Sequence, residues 1–213
     1  MSRFGFVLGI IFCVLVLGVC SCSDRDADEP AAYTGDGTAL FDGKNLDGWT
    51  VLNCEAIVDD GDILLIAGNG LVQSEKIYGN FVLEFDWKPL ADDNWDSGIF
   101  FRYDAVEEGR PWPKRWQVNL KKGAEGNMDS LKGARSKGLV KPGKWNRFKI
   151  TVDAAKVTVE INGKPAWQAE GLREPETGYI AIQAEVPNGG KHRFRNIYLT
   201  ELKEDVDDTG TTN

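Results

Sequence analysis

Histidine, methionine and cysteine are scarce in this chain: one, two and four in 213 residues. One histidine excludes a zinc site built from several imidazoles and leaves only His192 for a serine-type triad. Bases are also in deficit, with 25 Lys and Arg against 33 Asp and Glu and a formal charge of −8. A nucleic-acid binder needs a basic stripe to neutralise phosphates, so no nucleic-acid partner is expected. Long helical periods are missing too. Seven Trp and 24 Gly suit β-structure with many turns.

The long apolar run lies at the start. Arg3 precedes an uncharged stretch from Phe4 to Cys20, followed by Ser21-Cys22-Ser23. This is the plan of a bacterial secretory signal, and the run is shorter than the ~20 residues of a membrane-spanning helix. Val19-Cys20-Ser21-Cys22 resembles a lipobox. Small Ser21 precedes Cys22, whereas bulky Val19 precedes Cys20, so Cys22 is the expected lipidation site. The expected division is a signal at 1–21, a flexible tether at 22–37, one domain at 38–203 and a disordered acidic tail at 204–213. The protein is thus expected to be exported and held by lipid to a bacterial membrane, in the periplasm or at the surface. Cys13 and Cys20 leave with the signal. Cys54 alone remains in the domain, which therefore expects no disulfide and a plain buried thiol.

From Ala39 onward, short apolar alternations are separated by Gly, Asn, Asp or Pro. Asp59-Asp60-Gly61-Asp62 and Asn162-Gly163 are turn signals. Two short strand runs are expected within Ile57 to Ala67, on either side of the Asp59-Asp60-Gly61-Asp62 turn, and strands at Leu71 to Ser74, Phe81 to Lys88, Ser97 to Tyr103 and Arg115 to Lys121. Five more come after them, at Trp145 to Val152, Lys156 to Ile161, Pro165 to Ala169, Gly178 to Ala184 and Arg193 to Leu202. About ten strands at this spacing predict an all-β sandwich or jelly roll. Gly123 to Pro142 has no period and reads as a long loop, functional or mobile.

Strand parity divides core from surface. Phe81, Leu83, Phe85 and Trp87 form one apolar set; Ile99 with Phe101, Trp116 with Val118 and Leu120, and Ile180 with Ile182 and Ala184 form others. Phe100, Arg102, Gln117, Asn119, Gln183 and Glu185 then face outward, and Glu84 and Asp86 lie on the polar side of their strand. If these strands share a sheet, one face holds carboxylates, amides, an arginine and an aromatic, a mixture that suits a sugar. The same alternation is what any solvated sheet face shows. Trp95 and Trp112, in loops, are candidates for stacking on a sugar ring. His192, just before a strand, reads as a surface residue.

Seven motifs in order resemble one family. They are Leu40-Phe41-Asp42-Gly43-Lys44-Asn45-Leu46-Asp47-Gly48-Trp49, Tyr78-Gly79-Asn80-Phe81-Val82-Leu83-Glu84-Phe85, Ser97-Gly98-Ile99-Phe100-Phe101-Arg102, Lys141-Pro142-Gly143-Lys144-Trp145-Asn146, Ile161-Asn162-Gly163-Lys164, Gly178-Tyr179-Ile180-Ala181-Ile182-Gln183 and Phe194-Arg195-Asn196-Ile197. The match resembles the 3-keto-disaccharide hydrolase family, which includes 3-keto-glucoside 1,2-lyases and 3-keto-2-hydroxyglucal hydratases. Asp96 stands where that family often has Asn, Arg115 where it often has Glu, and the insert Val186 to Lys191 is longer than usual.

The resemblance implies a single concanavalin-like jelly-roll β-sandwich of two antiparallel sheets, acting on glycosides already oxidised at C3. A base removes the acidified C2 proton and the C1 oxygen leaves by β-elimination; hydration then makes the net reaction hydrolysis. In this reading Glu185 is the base, and Arg102 stabilises the enolate or holds the sugar. Glu84 or Asp86 serves as acid or metal ligand. Gln117 and Gln183 bond hydroxyls, while Asn119 and Phe100 shape the pocket. No cofactor is required by the sequence. A divalent ion on Asp86, Glu185 or Asp96 is chemically admissible, although no ligand-spacing motif appears. The rival readings are a carbohydrate-binding module without turnover and, third, a glucanase-like glycosidase.

Overall fold

The computed structural model describes residues 30, 33, 35–114 and 116–203. The expected signal, the Cys22 anchor, most of the tether, Arg115 and the acidic tail lie outside the described residues. Within them the chain is all-β. Its strands are β1 (Thr38–Ala39), β2 (Trp49–Asp59), β3 (Asp62–Tyr78), β4 (Phe81–Pro89), β5 (Gly98–Tyr103), β6 (Gln117–Asn119), β7 (Asn146–Asp153), β8 (Lys156–Ile161), β9 (Lys164–Glu170), β10 (Gly178–Val186) and β11 (His192–Glu201).

The strands pair antiparallel in the order β6-β5-β10-β3-β11-β4-β7-β8-β9, with β2 beside β3 and β1 beside β11. Long β3 is the fold line. Its second half, from Gly68 to Tyr78, pairs with β10, and its first half, from Ile63 to Leu65, pairs with β11. The sheet curls there, so that β6-β5-β10 lies opposite β11-β4-β7-β8-β9. Contact across the gap is direct: the ring of Phe81 on β4 meets that of Phe101 on β5 edge-on at 6.0 Å.

The parity sets expected for the core are its contents. Phe81, Leu83, Phe85 and Trp87 join Phe148, Ile150, Ile99, Val118, Ile180 and Ile182 in one buried cluster. Phe85 stacks on Phe148 at 5.3 Å, and Trp87 meets Phe148 edge-on at 5.9 Å. Each such side chain contributes roughly 1.5–3 kcal/mol on burial, enough in sum to hold the domain without a disulfide. Cys54, the free cysteine described, is half-buried and not fully enclosed as expected.

Two expectations about organisation need correction. First, β2 begins at Trp49 and β3 is a single long strand, whereas the sequence suggested only Ile57 to Ala67 and a short Leu71 to Ser74. The β2–β3 ladder shifts register at Leu52/Cys54 and again at Glu55/Ala56, and Asn53 adopts a φ of 54°. Each shift reverses which parity faces the core, so the pattern of two was hidden. Second, the Gly123 to Pro142 segment is not a free loop. Met128, Leu131 and Ala134 are buried in the core, and the Trp167 indole N–H donates to Gly126 O at 2.6 Å.

Candidate functional site

The polar residues of β6 and β10 meet on the outer face of the β6-β5-β10 layer. Gln117 Nε2 donates to Gln183 Oε1 at 2.5 Å, and Gln183 Nε2 donates to Glu185 Oε2 at 3.2 Å. The row crosses β5 at Gly98, which makes room for it: an added Cβ there would lie 2.1 Å from Gln117 Nε2. Asn119 shares this strand face, but its Oδ1 accepts from Lys121 N at 2.7 Å and shapes the turn after β6. That turn carries Lys121, whose Nζ lies 2.8 Å from Asp96 Oδ2.

Glu185 is thus a carboxyl in a mixed environment. Burial and the negative charge of Asp96 raise its pKa, while Lys121 and the Gln183 hydrogen bond pull it down; the net direction is up. A carboxyl raised in this way is better suited to take a proton near neutral pH than an ordinary surface glutamate.

Beside the polar row lies an apolar floor. Leu71, Phe100, Tyr103 and Ala181 are buried, with Leu52, Val106, Trp112 and Tyr179 packed against them. The Trp112 indole N–H donates to Gly70 O at 3.1 Å and Ala184 O at 3.2 Å, carbonyls of residues paired across β3 and β10. These bonds lay the half-exposed ring over the sheet, between floor and polar row. Phe100 is covered by its neighbours, so it supports the face from below and offers no free ring to a sugar.

Other expected members lie elsewhere. Arg102 was expected beside Phe100 on the outer face. Instead, a bulge sets Phe101 and Arg102 together opposite Ile180, because Ala181 pairs with Phe100 and Tyr179 with Tyr103. Arg102 takes φ 48° and is 3 % exposed, and Tyr103 replaces it on the face. The guanidinium turns to the far end of the strand, where it donates to Gly79 O at 3.1 Å, Ala154 O at 2.7 Å and Asn80 Oδ1 at 2.6 Å. It clamps the β3–β4 and β7–β8 turns at the wall of a cleft of about 630 Å³.

Glu84 and Asp86 also part from Glu185. They sit on β4, which faces β5 through the core, so their outer side is the opposite surface of the molecule. Glu84 is 3.6 Å from Lys149 Nζ. Asp86 is 0 % exposed; Oδ1 accepts from Arg147 Nε at 2.7 Å and Oδ2 from Asn196 Nδ2 at 2.7 Å. It therefore cannot share an ion with Glu185 and Asp96. Among the described residues, no group of three or more His, Cys, Asp or Glu is placed to hold a metal. Trp95 is 1 % exposed, a core residue and not a stacking platform. The bonds Lys122 N→Trp95 O and Leu120 N→Ser97 O align its segment with the stretch after β6, with the indole buried in the core.

Compared with known protein families, residues 36–200 match the 3-keto-alpha-glucoside-1,2-lyase-like domain. The chain belongs to that family. Among curated proteins none matches it. A candidate glycosyl hydrolase of Parabacteroides distasonis superposes with TM-score 0.61 at 23% identity, covering 82% of this chain and 100% of its own. A second from the same organism gives 0.62 at 18% identity, with 79% and 100% covered. The carbohydrate-binding module CBM66 of Bacillus subtilis gives 0.54 at 13% identity, with 72% and 96% covered. At these identities the likeness shows the fold, a concanavalin-like jelly roll. Membership of the lyase-like family makes the chain a carbohydrate-directed protein, glycosyl hydrolase-like or sugar-binding.

In this lyase-like domain the sequence reading missed three members of the face. Tyr103 donates to Gln73 Oε1 at 2.8 Å, and Tyr179 tilts against Tyr103 with ring centroids 5.9 Å apart. Lys121 is the third. A bulge at Arg102 leaves no mark in the apolar pattern, so Tyr103 could not be found by parity. Lys121 continues the outward parity of Gln117 and Asn119 just past the observed strand end, and was not singled out as more than a solvated charge.

His192 is another correction. It was expected at the surface and is 0 % exposed. Its Nδ1 accepts from Trp87 Nε1 at 3.1 Å, and Nε2 lies 2.9 Å from Gly189 O. An indole N–H only donates and a carbonyl only accepts, so the ring is neutral with its proton on Nε2. Burial lowers its pKa from the ordinary 6.5 to about 4. The unfolded chain therefore binds the extra proton between these values and the folded chain does not. The His192 contribution to stability is complete above about pH 6.5 and falls by about 3 kcal/mol as the pH drops to 4. Glu185 and Asp62, whose pKa values are raised mainly by burial, act in the opposite sense. Comparing wild type with His192→Phe by urea denaturation across this window isolates the histidine. Equal acid slopes in the two proteins would refute the assignment.

Proposed function

We propose that the outer face of β6, β5 and β10 cleaves 3-keto-glycosides, with Glu185 as the base. The observation that carries this is the Glu185 carboxyl itself. It is raised in pKa, held by Gln183 and flanked by Lys121 and Asp96, at the end of an amide row beside Trp112.

The ketone at C3 acidifies the C2 proton. Glu185 takes that proton, and the electron pair moves into the C2–C3 bond to leave an enolate oxygen. When the enolate collapses, the ketone re-forms, a C1–C2 double bond forms and the C1–oxygen bond breaks. The leaving oxygen takes up a proton. Water adding across the double bond completes a net hydrolysis. In place of Arg102, the cation beside Glu185 among the described residues is Lys121, which offers charge to the enolate oxygen. Gln117 presents its amide to hydroxyls; Gln183, expected to do the same, is 3 % exposed and bonded at both amide atoms, so it holds Gln117 and Glu185 in place instead. Trp112 presents an aromatic edge to the ring.

The test offers a 3-keto-glucoside and the same glucoside unoxidised, and monitors release of the aglycone. Release from the oxidised compound alone is expected. Binding of both without release would mark a recognition module, and turnover of the unoxidised compound would mark a conventional glycosidase; either result ends the lyase reading.

We further propose that the protein is exported and anchored through lipid on Cys22. Arg3, the apolar run and Ser21 before Cys22 support this. Intact mass of the membrane-extracted protein should show a chain beginning at Cys22 with acyl groups attached. A chain of unmodified mass would refute the anchor.

A further inference from the structure

A bonded chain runs from the core to the Glu185 face. Trp87 Nε1 donates to His192 Nδ1, and His192 Nε2 donates to Gly189 O. The same Gly189 carbonyl accepts from Asp96 N at 2.8 Å, and Gly189 N donates to Glu185 O at 2.5 Å. Gly189 thus joins the two segments that carry the carboxylates of the site. It does so at close range: an added Cβ would lie 2.4 Å from Asp96 O and 2.8 Å from Glu185 O. Asn94 Nδ2 adds a bond to Asn188 O at 3.0 Å on the outer side of the same turn.

We propose that His192 is a positioning residue for the Glu185–Asp96 pair, acting through the carbonyl of Gly189. The turn between β10 and β11 is not packed by large side chains of its own. The Nε2–H bond from below and the Asp96 N–H bond from the side both end on the Gly189 carbonyl, while Asn94 and the Leu90 N–H bond to Lys191 O hold the flanks of the turn. A neutral imidazole suits the task because it accepts from Trp87 on one edge and donates to Gly189 on the other, which no aliphatic residue can do. Among the described residues, the charged groups facing Glu185 are Asp96 from the segment before β5 and Lys121 from the segment after β6; around His192 stand Trp87, Phe194 and Asp96. Loosening the turn separates Glu185 from Asp96 and admits water to the carboxyl.

The proposal rests on Glu185 as the working carboxylate, so its first readout uses no substrate. The ¹³C-carboxyl signal of Glu185, identified by its loss in Glu185→Gln, is titrated in wild type, His192→Leu and His192→Gln. His192→Leu removes both bonds, and its Glu185 signal should titrate at lower pH than wild type. His192→Gln keeps an N–H for Gly189 and should restore the wild-type curve. On a 3-keto-glucoside, kcat of His192→Leu should fall on the order of 100-fold, as for a misplaced reacting group, with recovery in His192→Gln. A folded His192→Leu with an unchanged Glu185 titration would overturn the proposal. If that variant does not fold, Gly189→Ala displaces the same turn without touching the imidazole, and an unchanged titration there overturns it equally. A moved titration without turnover of any 3-keto-glycoside leaves the positioning role standing and removes the lyase reading.

Discussion

Glu185→Gln is expected to lose on the order of 10³-fold in kcat on a 3-keto-glucoside, the range of a missing general base. The substitution is close to isosteric. A glutamine carbonyl can still accept from Gln183 Nε2, and the neighbours of residue 185 need not move. What disappears is the capacity to hold a proton between C2 and solvent. Stability should not fall. Burial and Asp96 make the ionised Glu185 less comfortable in the folded state than in the unfolded one. By linkage, a raised carboxyl weakens the fold at pH above its unfolded value, and a neutral amide removes that penalty. A melting temperature equal to or above wild type, with activity nearly gone, is therefore the expected pair of results. Full activity in a folded Glu185→Gln protein would refute the base assignment. The wild-type rate should also decline on the acid side at a higher pH than an ordinary glutamate would give.

Asp86→Ala is expected to cost about 3–5 kcal/mol of folding stability, the cost of breaking a buried ion pair. Asp86 lies 0 % exposed among Arg147, Arg195 and Asn196, and its carboxylate is bound bidentately by Arg147 at 2.7 and 3.0 Å. Arg195 also lies 3.9 Å over the Trp145 ring. Removing the carboxylate takes away the buried anion that bridges two neighbouring guanidinium groups. The shift in urea midpoint measures this, and a loss below about 1 kcal/mol would show the cluster to be a solvated surface pair. The protein that remains folded should keep its kcat, because β4 places Asp86 on the surface opposite Glu185. The two carboxylates thus separate cleanly: one substitution removes turnover and spares the fold, the other does the reverse.

The apolar alternation in β4, β7, β8 and β10 was legible because those ladders are regular where the core forms. It failed where the register shifts. Asn53 and Arg102 take left-handed φ values, and each reverses the parity of the residues after it. Nothing in an arginine's side chain announces a bulge, so Arg102 read as an outward residue and Tyr103 went unnoticed. His192 failed for another reason. Polarity in the sequence places an imidazole at the surface, yet two complementary partners, Trp87 and Gly189, make it a satisfied core group. Met128, Leu131 and Ala134 were hidden in a segment with no period at all, since a coil that covers a core needs apolar residues but no spacing.

The sequence by itself determined the β class, the core parity of most strands, the family, and the outward parity of the amides and carboxylate of β6 and β10. These depend on neighbours within one strand, and side-chain direction alternates along it whatever the rest of the chain does. Only the tertiary structure decided which strands stand side by side and which stand back to back. Glu84, Asp86 and Glu185 have the same local signature, outward carboxylates on alternating strands. The curl of the sheet at β3 put a hydrophobic core between them, leaving Glu185 with Asp96 and Lys121 and giving Asp86 to the arginines.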